Sequence, residues 1–104
     1  MQITDVDRVT VLGAGNMGHG IAELAALAGY EVRMRDINEE YVQNGYDRIE
    51  WSLEKLAEKG RIDEADADAA LDRLTPLVDL EAAVEGTDVV IEAVPERMEI
   101  KKDV

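Results

Sequence analysis

Near the start of the chain stands the stretch Arg8-Val9-Thr10-Val11-Leu12-Gly13-Ala14-Gly15-Asn16-Met17-Gly18. Its first five residues are short, β-branched and apolar, as a buried parallel strand requires. Glycines follow at once in the spacing G-x-G-x-x-G. Ile21, Ala22, Leu24, Ala25, Leu27 and Ala28 then continue as an Ala-rich helix, which Gly29 stops. Residues 30–35 alternate towards Val32 and Met34, a second strand that ends at Asp36.

A lone G-x-G-x-x-G is a weak signal. Set between a buried strand and a helix, in a βαβ unit with an acid at the end of the second strand, it predicts a dinucleotide site. Gly13 permits the tight turn, Gly15 lets the backbone approach a pyrophosphate, and Gly18 lets the helix pack closely on the sheet. The free N–H groups around Asn16 and Met17, together with the helix dipole, favour phosphate charge. Asp36 can accept hydrogen bonds from the adenosine ribose hydroxyls and would repel a 2′-phosphate, which selects NAD over NADP. Arg35 precedes Asp36 on the strand and is expected to point to the opposite face. Asp36 alone would also serve as a helix cap ahead of Asn38.

Outward from the motif, Val42, Tyr46, Ile49, Leu53 and Leu56 form one apolar stripe, predicting a helix over 38–59 closed by Gly60. Asp63 can cap a second helix over 64–72, so the pair makes a helical hairpin inserted between the second and third strands. Residues 74–78 read as a third strand, placed at a sheet edge by Pro76. Asp79 can cap a short helix over 80–85, ended by Gly86. Residues 88–94 read as a fourth, buried strand, and Pro95 as the start of a helix within which the chain stops. The expected class is α/β, a Rossmann-type parallel sheet in a truncated domain spanning residues 1–104.

Composition narrows the function. The chain has 104 residues and a formal net charge of −13, with only four lysines, Lys55, Lys59, Lys101 and Lys102. Nucleic acid and anionic membrane both need a basic face, so neither is an expected partner. The spread of acid over nearly every surface helix fits a salt-rich cytosol, where screening removes self-repulsion; an ordinary acidic protein is the plainer alternative. There is no cysteine, hence no disulfide and no thiolate metal site. No basic n-region or apolar span opens the chain, which points to a cytoplasmic protein.

Two motifs carry a family resemblance. Gly13-Ala14-Gly15-Asn16-Met17-Gly18-His19-Gly20-Ile21-Ala22, and the stretch from Asp88 to Lys101 that contains Val94-Pro95-Glu96-Arg97, resemble the L-3-hydroxyacyl-CoA dehydrogenases. The hairpin between them has matching length and place, so the resemblance covers essentially the whole chain. It implies that Gly13, Gly15 and Gly18 cradle the pyrophosphate of NAD, that Asp36 holds the ribose, and that Glu96 and Lys101 add further NAD contacts. It also implies that Ser52 and Lys59, seven residues apart on one helix face, contact coenzyme A. Without it, Lys101, Ser52 and Lys59 read equally as solvated polar residues.

The implied parent enzyme oxidises a (3S)-3-hydroxyacyl-CoA to the 3-oxoacyl-CoA in β-oxidation, and pairs as a homodimer through a helical C-terminal domain. Its His–Glu pair, and the Ser and Asn that position substrate, fall beyond the equivalent of residue 104. The single histidine, His19, lies in the glycine loop and is not that base; it is expected to face solvent or a phosphate. No catalytic residue is therefore expected here, and the chain alone should bind without turning over. A dehydrogenase of free hydroxy acids, or a stand-alone dinucleotide-binding module, would share the glycine opening. Binding of CoA to the hairpin separates these readings.

Overall fold

The computed structural model describes the backbone of residues 7–94 and 97–102 and the side chains of residues 7–93 other than Asn16. In chain order the elements are β1 (Arg8–Leu12), α1 (Asn16–Leu27), β2 (Glu31–Arg35), α2 (Glu39–Glu58), α3 (Glu64–Asp72), β3 (Leu74–Leu77), α4 (Leu80–Val84), β4 (Val89–Val94) and β5 (Arg97–Lys102). The sheet order is β3-β2-β1-β4-β5. The first four strands in that order run parallel, and β5 is antiparallel to β4. Strand order reverses between β1 and β4, so the loop after β1 opens at the switch point where such sheets bind ligands.

Alternation along the strands splits the protein into layers. Val9 and Val11 of β1 and Val32 and Met34 of β2 are buried on one face. They pack on Ala22 and Ala26 of α1, Ile49 and Leu53 of α2, and Ala67 and Ala70 of α3. Alanines let these helices approach the sheet closely, which a chain with no Phe needs. Burying Ile49 and Leu53 completely contributes roughly 1.5–3 kcal/mol each. The other strand face carries Thr10 and Arg33 to α4: the Thr10 hydroxyl donates to the Ala83 carbonyl at 2.6 Å, and Arg33 Nη1 donates to that of Ala82 at 2.8 Å. β1 is thus not uniformly apolar; its buried Thr10 anchors a five-residue helix too short to hold itself.

The α2 stripe is as its spacing predicts, with Val42, Ile49 and Leu53 buried and Tyr46 and Leu56 packed at the margin. Asn38 caps α2, its side chain accepting from Tyr41 N–H at 2.9 Å, and Asp79 caps α4 through Ala82 N–H. Asp63 stands at the N-cap of α3 but makes no side-chain cap bond there. β3 is an edge strand, and Pro76 sits opposite Met34 without breaking the register.

The helix expected after Pro95 is not formed. Residues 97–102 pair with β4, Ile100 opposite Ile91 and Arg97 opposite Val94. Met98 and Ile100 alternate with charged residues, a period of two, and six residues close too few helical bonds to offset nucleation. The open edge of β4 offers a full ladder instead. Among the described residues no helix is long and apolar enough to cross a membrane.

Candidate dinucleotide site

The glycine loop is built by backbone approaches that side chains would prevent. Gly13 has φ +110° and donates its N–H to the Arg35 carbonyl at 2.7 Å, tying the loop to the end of β2. A Cβ at Gly13 would collide with the Ala93 carbonyl oxygen of β4. A Cβ at Gly18 would collide with the carbonyl of Gly13, its carbon at 2.6 Å. Gly18 therefore serves the fold chiefly by letting α1 close on its own loop, and only secondarily by contact with the sheet at Ala93. Gly15 differs: a Cβ there would meet nothing of the protein within 4 Å, so the space before it stays open for a ligand's approach.

Gly15 is the N-cap of α1, with no side-chain cap and no acid in the first turn. No carboxylate of that turn competes with an anion for the positive end of the helix. His19 is half-buried, and its Nδ1 lies 2.7 Å from the Gly15 carbonyl. A carbonyl only accepts, so this bond needs the proton on Nδ1, and it ties the imidazole to the N-cap of α1.

Asp36 closes the other side. Its carboxylate accepts from Ala14 N–H at 2.8 Å and from Ile37 N–H at 2.7 Å. A carboxylate has about four acceptor positions, so two remain for ribose hydroxyls. The same negative charge, fixed against the loop, disfavours an additional phosphate on the ribose. Residues Leu12, Gly13, Gly15, Met17, Gly18, Arg35, Asp36, Ile37, Tyr41 and Ala93 enclose a cleft of about 690 Å³. Arg35 also borders this cleft, but its guanidinium leaves the strand away from the Asp36 carboxylate, as strand alternation predicts. Its Nε is engaged by the Val78 carbonyl at 2.8 Å, which holds it along the β3 side.

Met17, Ile37 and Tyr41 are exposed large hydrophobic residues, and all three line this one cleft. Ile37 and Tyr41 escaped the sequence reading. The available signal was the Asn38 cap, which starts α2 immediately after Asp36 and so brings Tyr41 over the loop. Gly45 was also missed. Its Cα faces Ala14, where a Cβ would lie 2.7 Å from the carbonyl oxygen and 2.8 Å from the Cβ of Ala14. α2 thus rests directly on the glycine loop.

Among the described residues, Ser52 and Lys59 stand away from the cleft lining. Ser52 lies on α2 and donates to Glu23 Oε2 of α1 at 3.0 Å. Burial pushes the Glu23 carboxyl above its ordinary range, opposed in part by the Ser52 hydroxyl and His19. Lys59 is the exposed C-cap of α2. Lys101 stands in β5 opposite Val90, on a strand and not a helix. Glu96 and the side chains of Asn16 and Lys101 lie outside the described residues. Among the described residues no cluster of His, Cys, Asp or Glu could hold a metal ion.

The strand order, the glycine cradle and the acid ending β2 define a Rossmann-type dinucleotide-binding domain. The sequence pattern of the 3-hydroxyacyl-CoA dehydrogenase NAD binding domain matches residues 8–104, and the chain belongs to this family. It is 40% identical over 99 residues to the 3-hydroxybutyryl-CoA dehydrogenase of Mycobacterium tuberculosis strain H37Rv, covering 95% of this chain and 34% of that protein. It is 39% identical over 98 residues to the 3-hydroxyadipyl-CoA dehydrogenase of Escherichia coli K12, covering 94% and 20%. The crystal structure of (S)-3-hydroxybutyryl-CoA dehydrogenase from Ralstonia eutropha superposes with a TM-score of 0.83 at 38% identity, over 88% of this chain and 32% of that one. The chain therefore spans about a third or less of the length of these relatives. NAD is the dinucleotide of the family.

Proposed function

We propose that this chain is the NAD-holding part of an enzyme that oxidises (3S)-3-hydroxyacyl-CoA to 3-oxoacyl-CoA, a reaction of the fatty acid β-oxidation type. The observation that carries the reading is Asp36 bonded to Ala14 N–H at 2.8 Å, which sets a ribose acceptor beside the glycine cradle. Bound NAD would supply the hydride acceptor. The chain's own residues bind and orient it. Gly13, Gly15 and Gly18 admit the pyrophosphate to the amides of Asn16 and Met17, and Asp36 takes the ribose hydroxyls. Ile37 and Tyr41 offer an apolar wall for the adenine. Glu96 and Lys101 are proposed as further NAD contacts, and Ser52 and Lys59 as contacts to coenzyme A. Proton transfer belongs to residues outside this chain, as the resemblance implies, together with a homodimer formed through a further domain.

Calorimetric titration with NADH, NADPH and acetoacetyl-CoA, in low salt and in molar KCl, tests this. NADH is expected to bind, NADPH not. Asp36→Asn should erode that preference by about tenfold or more, as expected for losing a charged acceptor. Lys59→Ala should weaken acetoacetyl-CoA without affecting NADH. A folded chain that binds NADPH as tightly as NADH, or whose preference survives Asp36→Asn, contradicts the assignment.

A further inference from the structure

α2 turns one short row of residues to the glycine loop. Tyr41, Asn44, Gly45 and Arg48 are spaced three, one and three apart, which places them on one helix face. Gly45 is the point of contact: a Cβ there would lie 2.7 Å from the Ala14 carbonyl oxygen, so the helix axis runs close to the loop. Tyr41 stands one turn before that contact and Arg48 one turn after it. The rest of α2 is rich in acid, but its acids belong elsewhere. Glu39 and Glu40 border a groove with Pro76 and Asp79, and Glu50, Glu54 and Glu58 border one with α3. Asp47 accepts from Gln43 along the helix. The row that meets the loop carries no acid, and it carries a cation.

These four residues, with Gly15 and Asp36, enclose a side pocket of about 380 Å³. Among the described residues its charged lining is Asp36 and Arg48. Asp36 borders the dinucleotide cleft as well, so the two cavities meet at its carboxylate. A ribose held on Asp36 keeps its hydroxyl oxygens within hydrogen-bond reach of that carboxylate. A phosphate on the 2′-oxygen is one bond further out and must enter a space that Asp36 borders. The cleft would hold the dinucleotide itself, and the side pocket is the space that remains. Arg35, next to Asp36 in the chain, is not part of this pocket's lining, and its Nε is held by the Val78 carbonyl at 2.8 Å.

Resting on the ribose placement given above, we propose that this side pocket is a seat for a 2′-phosphate, with Arg48 as its cation and Tyr41 and Asn44 as hydrogen-bond donors. A guanidinium fork suits phosphate oxygens, and a hydroxyl and an amide can donate to those that remain. Asp36 keeps the seat closed to NADP by fixing a negative charge at its mouth. The choice of NAD thus rests on a repulsive carboxylate set before an attractive pocket, and not on the lack of anything to hold the phosphate. Neutralising Asp36 therefore does more than remove a preference for NAD: it opens a site for NADP.

NADH and NADPH are titrated calorimetrically into the full chain, with Asp36→Asn and Asp36→Ser as two opened forms whose folding is checked by far-UV circular dichroism. Adenosine 2′,5′-bisphosphate and 5′-AMP, run in parallel, isolate the extra phosphate from the nicotinamide half. The opened forms should bind NADPH about tenfold or more tightly than the parent chain does, as expected for gaining charge-assisted bonds to phosphate. Adding Arg48→Ala to an opened form should remove about tenfold of that NADPH affinity and leave NADH within about twofold. Arg48→Lys should restore part of the loss, because lysine keeps the charge without the fork. The bisphosphate should follow NADPH, and 5′-AMP should follow NADH. If the gain in NADPH survives Arg48→Ala, or if the opened forms lose NADH with no gain in NADPH, the seat is overturned while the NAD reading stands. If the folded parent chain binds no NADH, the NAD reading falls and takes the seat with it.

Discussion

Two glycines in helix interiors should respond oppositely to the same substitution. Gly20 lies within α1 and Gly45 within α2. Replacing glycine by alanine inside a helix gains up to about 1 kcal/mol from backbone entropy. At Gly20 a Cβ meets nothing within 4 Å, so Gly20→Ala should keep most of that gain and raise the melting temperature by several degrees. At Gly45 the Cβ would lie 2.7 Å from the Ala14 carbonyl oxygen, 2.8 Å from the Ala14 Cβ and 3.2 Å from Met34 Cε. Met34 ends in a flexible methyl that can swing aside. Ala14 has no such freedom, because Asp36 holds its N–H at 2.8 Å. Forcing an extra methyl into such a contact costs about 1–3 kcal/mol, more than the propensity gain in most of that range. Gly45→Ala should therefore destabilise by up to about 2 kcal/mol net of the full propensity gain. It should also weaken NADH, since the displaced residue belongs to the phosphate loop. Urea unfolding followed by far-UV circular dichroism gives the stability, provided the denaturant slope is shared. A Gly45→Ala chain as stable as Gly20→Ala, with NADH affinity intact, would refute the seating of α2 on the loop.

Glu23 and Asp88 should shape the acid limb of stability in opposite senses. Burial raises the Glu23 carboxyl above its ordinary range, so its favourable contribution is complete below the unfolded value of about 4.3 and is lost as pH rises through the raised one. Glu23→Gln keeps an acceptor for Ser52; its melting temperature should exceed the parent's at neutral pH and converge with it towards about pH 4, and parallel curves would count against the buried-carboxyl account. Asp88 is lowered chiefly by accepting from the N–H groups of Asp7 and Arg8, at 2.9 and 3.0 Å. Its contribution is present above about pH 3.9 and fades as pH falls through the depressed value. Asp88→Asn should melt earlier at neutral pH and lose less on acidification; equal melting temperatures at neutral pH would show that the two amides do not need the charge.

The local pattern alone determined much of this protein. Residues 8–12 and 31–35 carry the two strands, the glycine spacing carries the loop, and the stripe from Val42 to Leu56 carries α2, because each signal is periodic burial or a turn with one chemical solution. Tertiary structure decided what depends on residues far apart in the chain. Gly45 reads as a weak point of a helix until Ala14, thirty-one positions away, is seen beneath it. Ser52 reads as a surface hydroxyl until α1 brings Glu23 to 3.0 Å. Residues 97–102 read as a helix start until the edge of β4 supplies partners that their own six residues cannot. Periodicity reports which face of an element is buried, but not against what; that is set by the packing of whole elements, which no local window of sequence contains.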